Sequence, residues 1–131
     1  MEALSPPKKI LVVEDELDVR LFVSNLLASN GFIPIDAENF RQGFHLARSL
    51  QPDLIILDAM LPEEGGIELI RLLKSDPQLR SVPVAIMTTF DRKTFCHFQR
   101  CMGVKEIFEP EAFLARPPEA DELLQVIRRL V

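Results

Sequence analysis

Residues 54–62, Leu-Ile-Ile-Leu-Asp-Ala-Met-Leu-Pro, decide how this chain is read. Four aliphatic residues run unbroken into a single aspartate, Asp58, and three apolar residues and a proline follow. A continuous apolar run marks a strand covered on both faces, as parallel strands are. A lone carboxylate buried within such a strand would be costly. Asp58 therefore belongs at the strand's carboxyl end, where the sheet opens. The groups it meets there determine what it does.

Working outward, residues 10–13, inside KKILVVEDE, form a second such run, and residues 84–87, inside SVPVAIMTTF, a third. Residues 32–37 make a weaker strand interrupted by Pro34, which suits a sheet edge because proline donates no ladder hydrogen bond. Residues 112–115 form a short fifth strand. Helical spacing fills the gaps. Val19, Phe22, Val23, Leu26 and Leu27 lie on one face, and Asn30-Gly31 stops that helix. Phe40, Phe44 and Ala47 mark a second helix, and Ile67, Ile70 and Leu73 a third that ends at Ser75-Asp76-Pro77. Asp91 caps a fourth carrying Phe95, Phe98 and Met102 and closed by Gly103; Leu123, Ile127 and Leu130 mark the last.

Five alternations of strand and helix imply an α/β fold with a parallel sheet covered on both faces. Ligands of such sheets bind beyond the carboxyl ends of the strands. The residues just after the strands are Glu14-Asp15, Asp58, Thr88 and Arg116. Three acids, a hydroxyl and a cation thus converge on one edge.

Composition narrows the function. The chain has 131 residues, 47% hydrophobic and 27% charged, ordinary for one soluble globular domain. A net charge of −5 argues against direct nucleic-acid binding, which needs a basic footprint. Cys96 and Cys101 have neither redox nor zinc spacing, and His45 and His97 have no metal-binding partner motif. They read as free thiols and incidental histidines. No run is long enough for a signal-peptide core or a membrane span, so a cytoplasmic, membrane-free protein is expected. Residues 1–7 are expected to be a flexible tail and residues 8–131 a single domain, either stand-alone or cut from a longer protein.

The chain resembles a two-component response-regulator receiver domain from Lys9 to Val131. The likeness rests on ILVVEDE, LIILDAMLPEEGGIELIRLLK, PVAIMTT and FLARPPEADELL, in that order. It implies a flavodoxin-like sheet of strand order 2-1-3-4-5. It makes Asp58 the phosphoacceptor, receiving a phosphoryl group from a histidine kinase or phosphotransfer protein. A carboxylate can attack phosphorus to give an acyl phosphate, and the transfer needs mostly positioning and charge neutralisation. The resemblance implies Mg2+ held by Asp15 and Asp58, by Glu14 through water and by the Met60 backbone carbonyl, an oxygen-rich set suited to that ion. It places Thr88 against a phosphoryl oxygen and assigns Arg116 and Phe113 to the switch. An ordinary core phenylalanine is the competing reading of Phe113. The domain would then act as a phosphoacceptor rather than an enzyme in the usual sense, signalling through conformational change and partner binding.

Several positions depart from the family pattern. Relatives carry lysine before the proline where this chain has Arg116-Pro117, and about six extra residues fall within 104–111. A rival alignment puts Glu109-Pro110 at the lysine position and leaves the phosphoryl group no cation. Thr89 is bulkier than usual. Met60 and Phe90 flank the site where relatives often carry polar groups, so water exclusion and a long-lived acyl phosphate are expected. The change from lysine leaves a second reading open, a receiver-like interaction module independent of phosphate. A flavin-binding or phosphatase role fits poorly: EDELD would repel a nucleotide phosphate, and Met60 stands where a DxD pair needs its second acid. Homodimerisation is left open, because the fourth-helix, fifth-strand and fifth-helix face that dimerises in relatives carries the insertion.

Overall fold

A computed structural model describes residues 6–131. Strands and helices alternate as β1 (Lys9–Val13), α1 (Leu17–Ser29), β2 (Ile33–Ala37), α2 (Phe40–Leu50) and β3 (Leu54–Asp58), then α3 (Gly65–Ser75), β4 (Val84–Met87), α4 (Arg92–Cys101), β5 (Ala112–Leu114) and α5 (Ala120–Leu130). A single 3-10 turn, Pro62–Glu64, leads into α3. Of the tail expected over residues 1–7, residues 1–5 lie outside the described residues.

The five strands form one sheet in the order β2-β1-β3-β4-β5, and every pairing is parallel. This is the flavodoxin-like arrangement that the motifs imply. Pro34 falls on the edge strand β2, where a missing N–H leaves no interior ladder incomplete. Phe32 is not part of that strand. Its N–H donates to the Leu27 carbonyl at 3.1 Å, so it completes the end of α1 instead. Gly31, at φ +86, makes that reversal possible. The fifth strand ends one residue earlier than expected, at Leu114.

Two apolar layers sandwich the sheet. On one face Leu11, Val13, Ile55, Leu57 and Ile86 pack with Ala47 of α2, Leu69 and Leu73 of α3 and Phe95 of α4. On the other, Ile10, Val12, Leu54 and Ile56 pack with Val23 and Leu27 of α1 and Leu123 and Ile127 of α5. All five residues of β3 are buried, as its unbroken apolar run requires. Asn39 and Asp91 cap α2 and α4, each accepting a backbone N–H at 2.8 Å, from Gln42 and Thr94.

The irregular segment between α4 and β5 is held chiefly by one buried side chain. Gln99, 1% exposed, donates to the Phe108 carbonyl at 2.9 Å and accepts the Phe108 N–H at 2.8 Å. That paired bond does for an irregular segment what a strand partner would do. Glu109 forms an ion pair with Arg92 of α4, and Glu111 accepts the Val84 N–H at 2.7 Å. The end of this segment that leads into β5 is thus stitched to α4 and β4.

Candidate functional site

The strand ends bring the site together. β1 and β3 are adjacent in register, so Glu14 and Asp15, which follow β1, open beside Asp58, the last residue of β3. β4 lies on the other side of β3, and Thr88 follows it directly. The Thr88 N–H donates to the Leu114 carbonyl at 2.9 Å, tying it to β5, after which the chain reaches Arg116. A small cavity of about 180 Å³ is lined by Asp15, Glu16, Asp58, Met60, Thr88, Thr89 and Arg116.

Carboxylate oxygens of Glu14, Asp15 and Asp58 lie within 4.8 Å of one another. Asp58 is 2% exposed and Glu14 fully buried, whereas Asp15 is exposed to solvent. The Met60 N–H donates to Asp58 Oδ1 at 2.9 Å, fixing the carboxylate as the chain turns. Gly66 packs directly under that turn: a Cβ there would stand 2.6 Å from the Ala59 carbonyl oxygen. Thr88 accepts the Phe90 N–H on its hydroxyl oxygen at 3.0 Å. Its hydroxyl proton stays available to donate into the cavity.

Arg116 is the cation of the site, and it is heavily engaged. Its Nε donates to Glu14 Oε1 at 2.7 Å and its Nη2 to Glu14 Oε2 at 3.0 Å. The same guanidinium lies 3.4 Å from Asp58 Oδ2 and 3.4 Å from Glu16 Oε1. Glu109, the rival candidate, is exposed and paired with Arg92. The bond to Glu14 pushes the Arg116 pKa still higher, so this charge is permanent. Burial pushes the Asp58 pKa up to about 7; the Met60 N–H opposes that rise, the Glu14 charge adds to it and Arg116 opposes it.

Two expectations are corrected. Phe90 was expected to bracket the cavity and exclude water, but it is not among the lining residues. Its ring stacks against Phe95, with centroids 6.4 Å apart. Apolar residues two positions past a strand end need not face the site, and here the aromatic core captured one of them. Met60 does line the cavity but is 55% exposed, so it does not seal the mouth. The reasoning for a long-lived acyl phosphate therefore fails. Glu16 and Arg20 were not anticipated. Glu16 lines the cavity, and Arg20 Nη1 donates to the Glu14 carbonyl at 2.7 Å. The acidic run EDE hinted at Glu16; nothing local singled out Arg20. Phe113 packs edge-on against Phe95 at 5.8 Å, with the Arg92 guanidinium 4.8 Å above its ring.

Comparison with known proteins settles the family. The response regulator receiver domain profile matches residues 10–128. The chain belongs to the response-regulator receiver family. This receiver is similar to the polar-differentiation response regulator DivK of Brucella anthropi, 34% identical over 93% of this chain and 94% of that protein. It is also similar to the phosphate regulon transcriptional regulatory protein PhoB of Escherichia coli, 42% identical over 62% of this chain; the match spans 35% of PhoB. Among solved structures, the chemotaxis protein CheY4 of Vibrio cholerae superposes with a TM-score of 0.80 at 24% identity, covering 95% of this chain and 99% of that one. That last likeness concerns the fold. Among the described residues, no helix of this receiver is long and apolar enough to cross a membrane.

Proposed function

We propose that this receiver accepts a phosphoryl group on Asp58 from a histidine kinase or phosphotransfer protein and signals by changing the surface it offers to a partner. The observation that carries this reading is the grouping of a buried strand-end carboxylate, two further acids, a hydroxyl and a cation around one small cavity. The donor set consists only of carboxylate and carbonyl oxygens, which fits Mg2+. Asp15 and Asp58 would hold the ion with the Met60 backbone carbonyl, and Glu14 completes the acidic set. Bound there, the metal supplies charge neutralisation for phosphoryl transfer.

The chain's own groups then divide the work. A carboxylate oxygen of Asp58 forms the bond to phosphorus as the donor's bond to phosphorus breaks, and the donor keeps that electron pair. Thr88 donates its hydroxyl proton to a phosphoryl oxygen. Arg116, already 3.4 Å from Asp58, offers a permanent charge to the new dianion. Phe113 and its neighbours Phe95 and Arg92 carry the change outward from β5 to α4. On this reading the protein is a cytoplasmic phosphoacceptor, not a turnover enzyme. Its output passes to a downstream protein or to an effector domain such as the relatives' lengths suggest.

The test is direct. Acetyl phosphate with Mg2+ should add one phosphoryl mass to the wild-type protein and none to Asp58→Asn, read by intact mass spectrometry. The chain has no tryptophan, so NMR shifts with beryllofluoride serve as the second readout. Absence of both adduct and shifts would favour the phosphate-independent interaction module.

A further inference from the structure

Glu14 is one of three acids at the mouth of the sheet, yet it is fully buried and absent from the residues that line the cavity. Arg116 stands between it and the open space. The guanidinium bonds both Glu14 oxygens, at 2.7 and 3.0 Å, and Oε2 also accepts the Glu16 N–H at 3.0 Å. Little of that carboxylate is left to face an ion or an ion's water. The fit depends on shape as much as on charge. A planar, forked donor can span two carboxylate oxygens while still reaching Asp58 and Glu16, whereas an ammonium is a point charge with a single position.

We infer that Arg116 is a built-in competitor for the divalent ion. In the metal-free receiver it withdraws Glu14 from the acidic set, so metal affinity depends on how readily the guanidinium lets go. This inference rests on the phosphoacceptor reading of the site and adds its regulation. It assigns Glu14 a double role: it seats Arg116 beside Asp58 when no metal is present, and it joins the ion's surroundings once Arg116 turns away. Arg20, donating to the Glu14 carbonyl at 2.7 Å, keeps the backbone of that residue in place in either state. Two cations cannot share these carboxylates without repulsion. Each binding event therefore weakens the other, and the coupling is reciprocal.

The experiment measures Mg2+ affinity by calorimetry and by amide NMR shifts, with no phosphoryl donor present. Asp15→Asn should lose Mg2+ binding; if it binds like wild type, the underlying site reading fails. With that control passed, Arg116→Gln should bind Mg2+ on the order of ten-fold tighter than wild type. Arg116→Lys, which keeps the charge and guards against misfolding around an unpaired Glu14, should also bind several-fold tighter. Glu14→Gln should weaken binding little in the wild-type background and much more in Arg116→Lys. Equal or weaker binding by both Arg116 variants would overturn the competition. Equal effects of Glu14→Gln in the two backgrounds would also overturn it, because Glu14 would then be engaged by metal whether or not the fork holds it.

Discussion

Asp58 shows how one residue stores opposing demands. The acceptor role proposed for it needs an anion, yet the end of a strand packed on both faces favours the neutral acid. Its ordinary pKa of 3.8 is raised to about 7, chiefly by burial. Between those two values the folded receiver binds a proton that the unfolded chain has already released. The stability linked to this group is therefore fully present below about pH 4 and is lost as pH rises through about 7. In chelator, wild-type protein should melt at a lower temperature at pH 8 than at pH 5. Asp58→Asn, neutral at both, should recover several degrees at pH 8 and little at pH 5. Melting curves that shift in parallel for the two proteins would contradict this account. On the proposed Mg2+ reading, metal binding below about pH 7 should release a proton, because an ion and a protonated Asp58 exclude each other.

Among the elements, the link from β3 to α3 carries the tightest constraints. Two consecutive residues, Glu63 and Glu64, adopt φ of +58, which non-glycine residues rarely do. Gly66 follows in the first turn of α3, where a Cβ would lie 2.6 Å from the Ala59 carbonyl oxygen and 3.2 Å from that of Asp58. Both obstacles are backbone, so neither yields cheaply. Gly66→Ala should cost about 1–3 kcal/mol in urea denaturation. On the phosphoacceptor reading it should also slow acyl-phosphate formation, since relief of the clash shifts the Ala59–Met60 peptide, whose N–H holds Asp58 Oδ1. Unchanged stability and unchanged adduct yield would show that the helix start moves independently of the acceptor. The motif LPEEGG signalled a turn here, and its glycine pair was legible as such. Which of the two glycines backs Asp58 was not, because that depends on how α3 lies against β3.

At the scale of the whole molecule, β3 ties the two apolar layers into one cooperative unit. Ile56 faces α1 and α5, its neighbour Leu57 faces α2, α3 and α4, and both are fully buried. Ile56→Ala and Leu57→Ala should each destabilise by about 2–5 kcal/mol. Each should leave a single unfolding transition by circular dichroism in urea. A biphasic curve for either variant would mean that one layer melts without the other. The segment between α4 and β5 belongs to the same unit, since Phe108 is bonded to Gln99 of α4 and Glu111 to Val84 of β4. It therefore adds a fixed wall to the α3–α4 side rather than a separate subdomain.

Much of this receiver was determined along the chain itself. Unbroken apolar runs specified buried parallel strands, i, i+3 and i+4 spacing specified the helices between them, and Pro34 specified an edge. The site residues at the strand ends followed, because a parallel sheet opens at its carboxyl edge whatever its side chains. Placement of Arg116 was different. Two alignments competed, and only the closure of β5 onto β4 put Arg116 rather than Glu109 at the cavity. The ion pair with Glu14, the burial that raises Asp58 and the turning of Phe90 into the aromatic core likewise arose only in three dimensions. Periodicity reports the face a residue takes on its own element. Contacts between residues a hundred positions apart depend on how elements pack, and packing is set by the sum of all their surfaces.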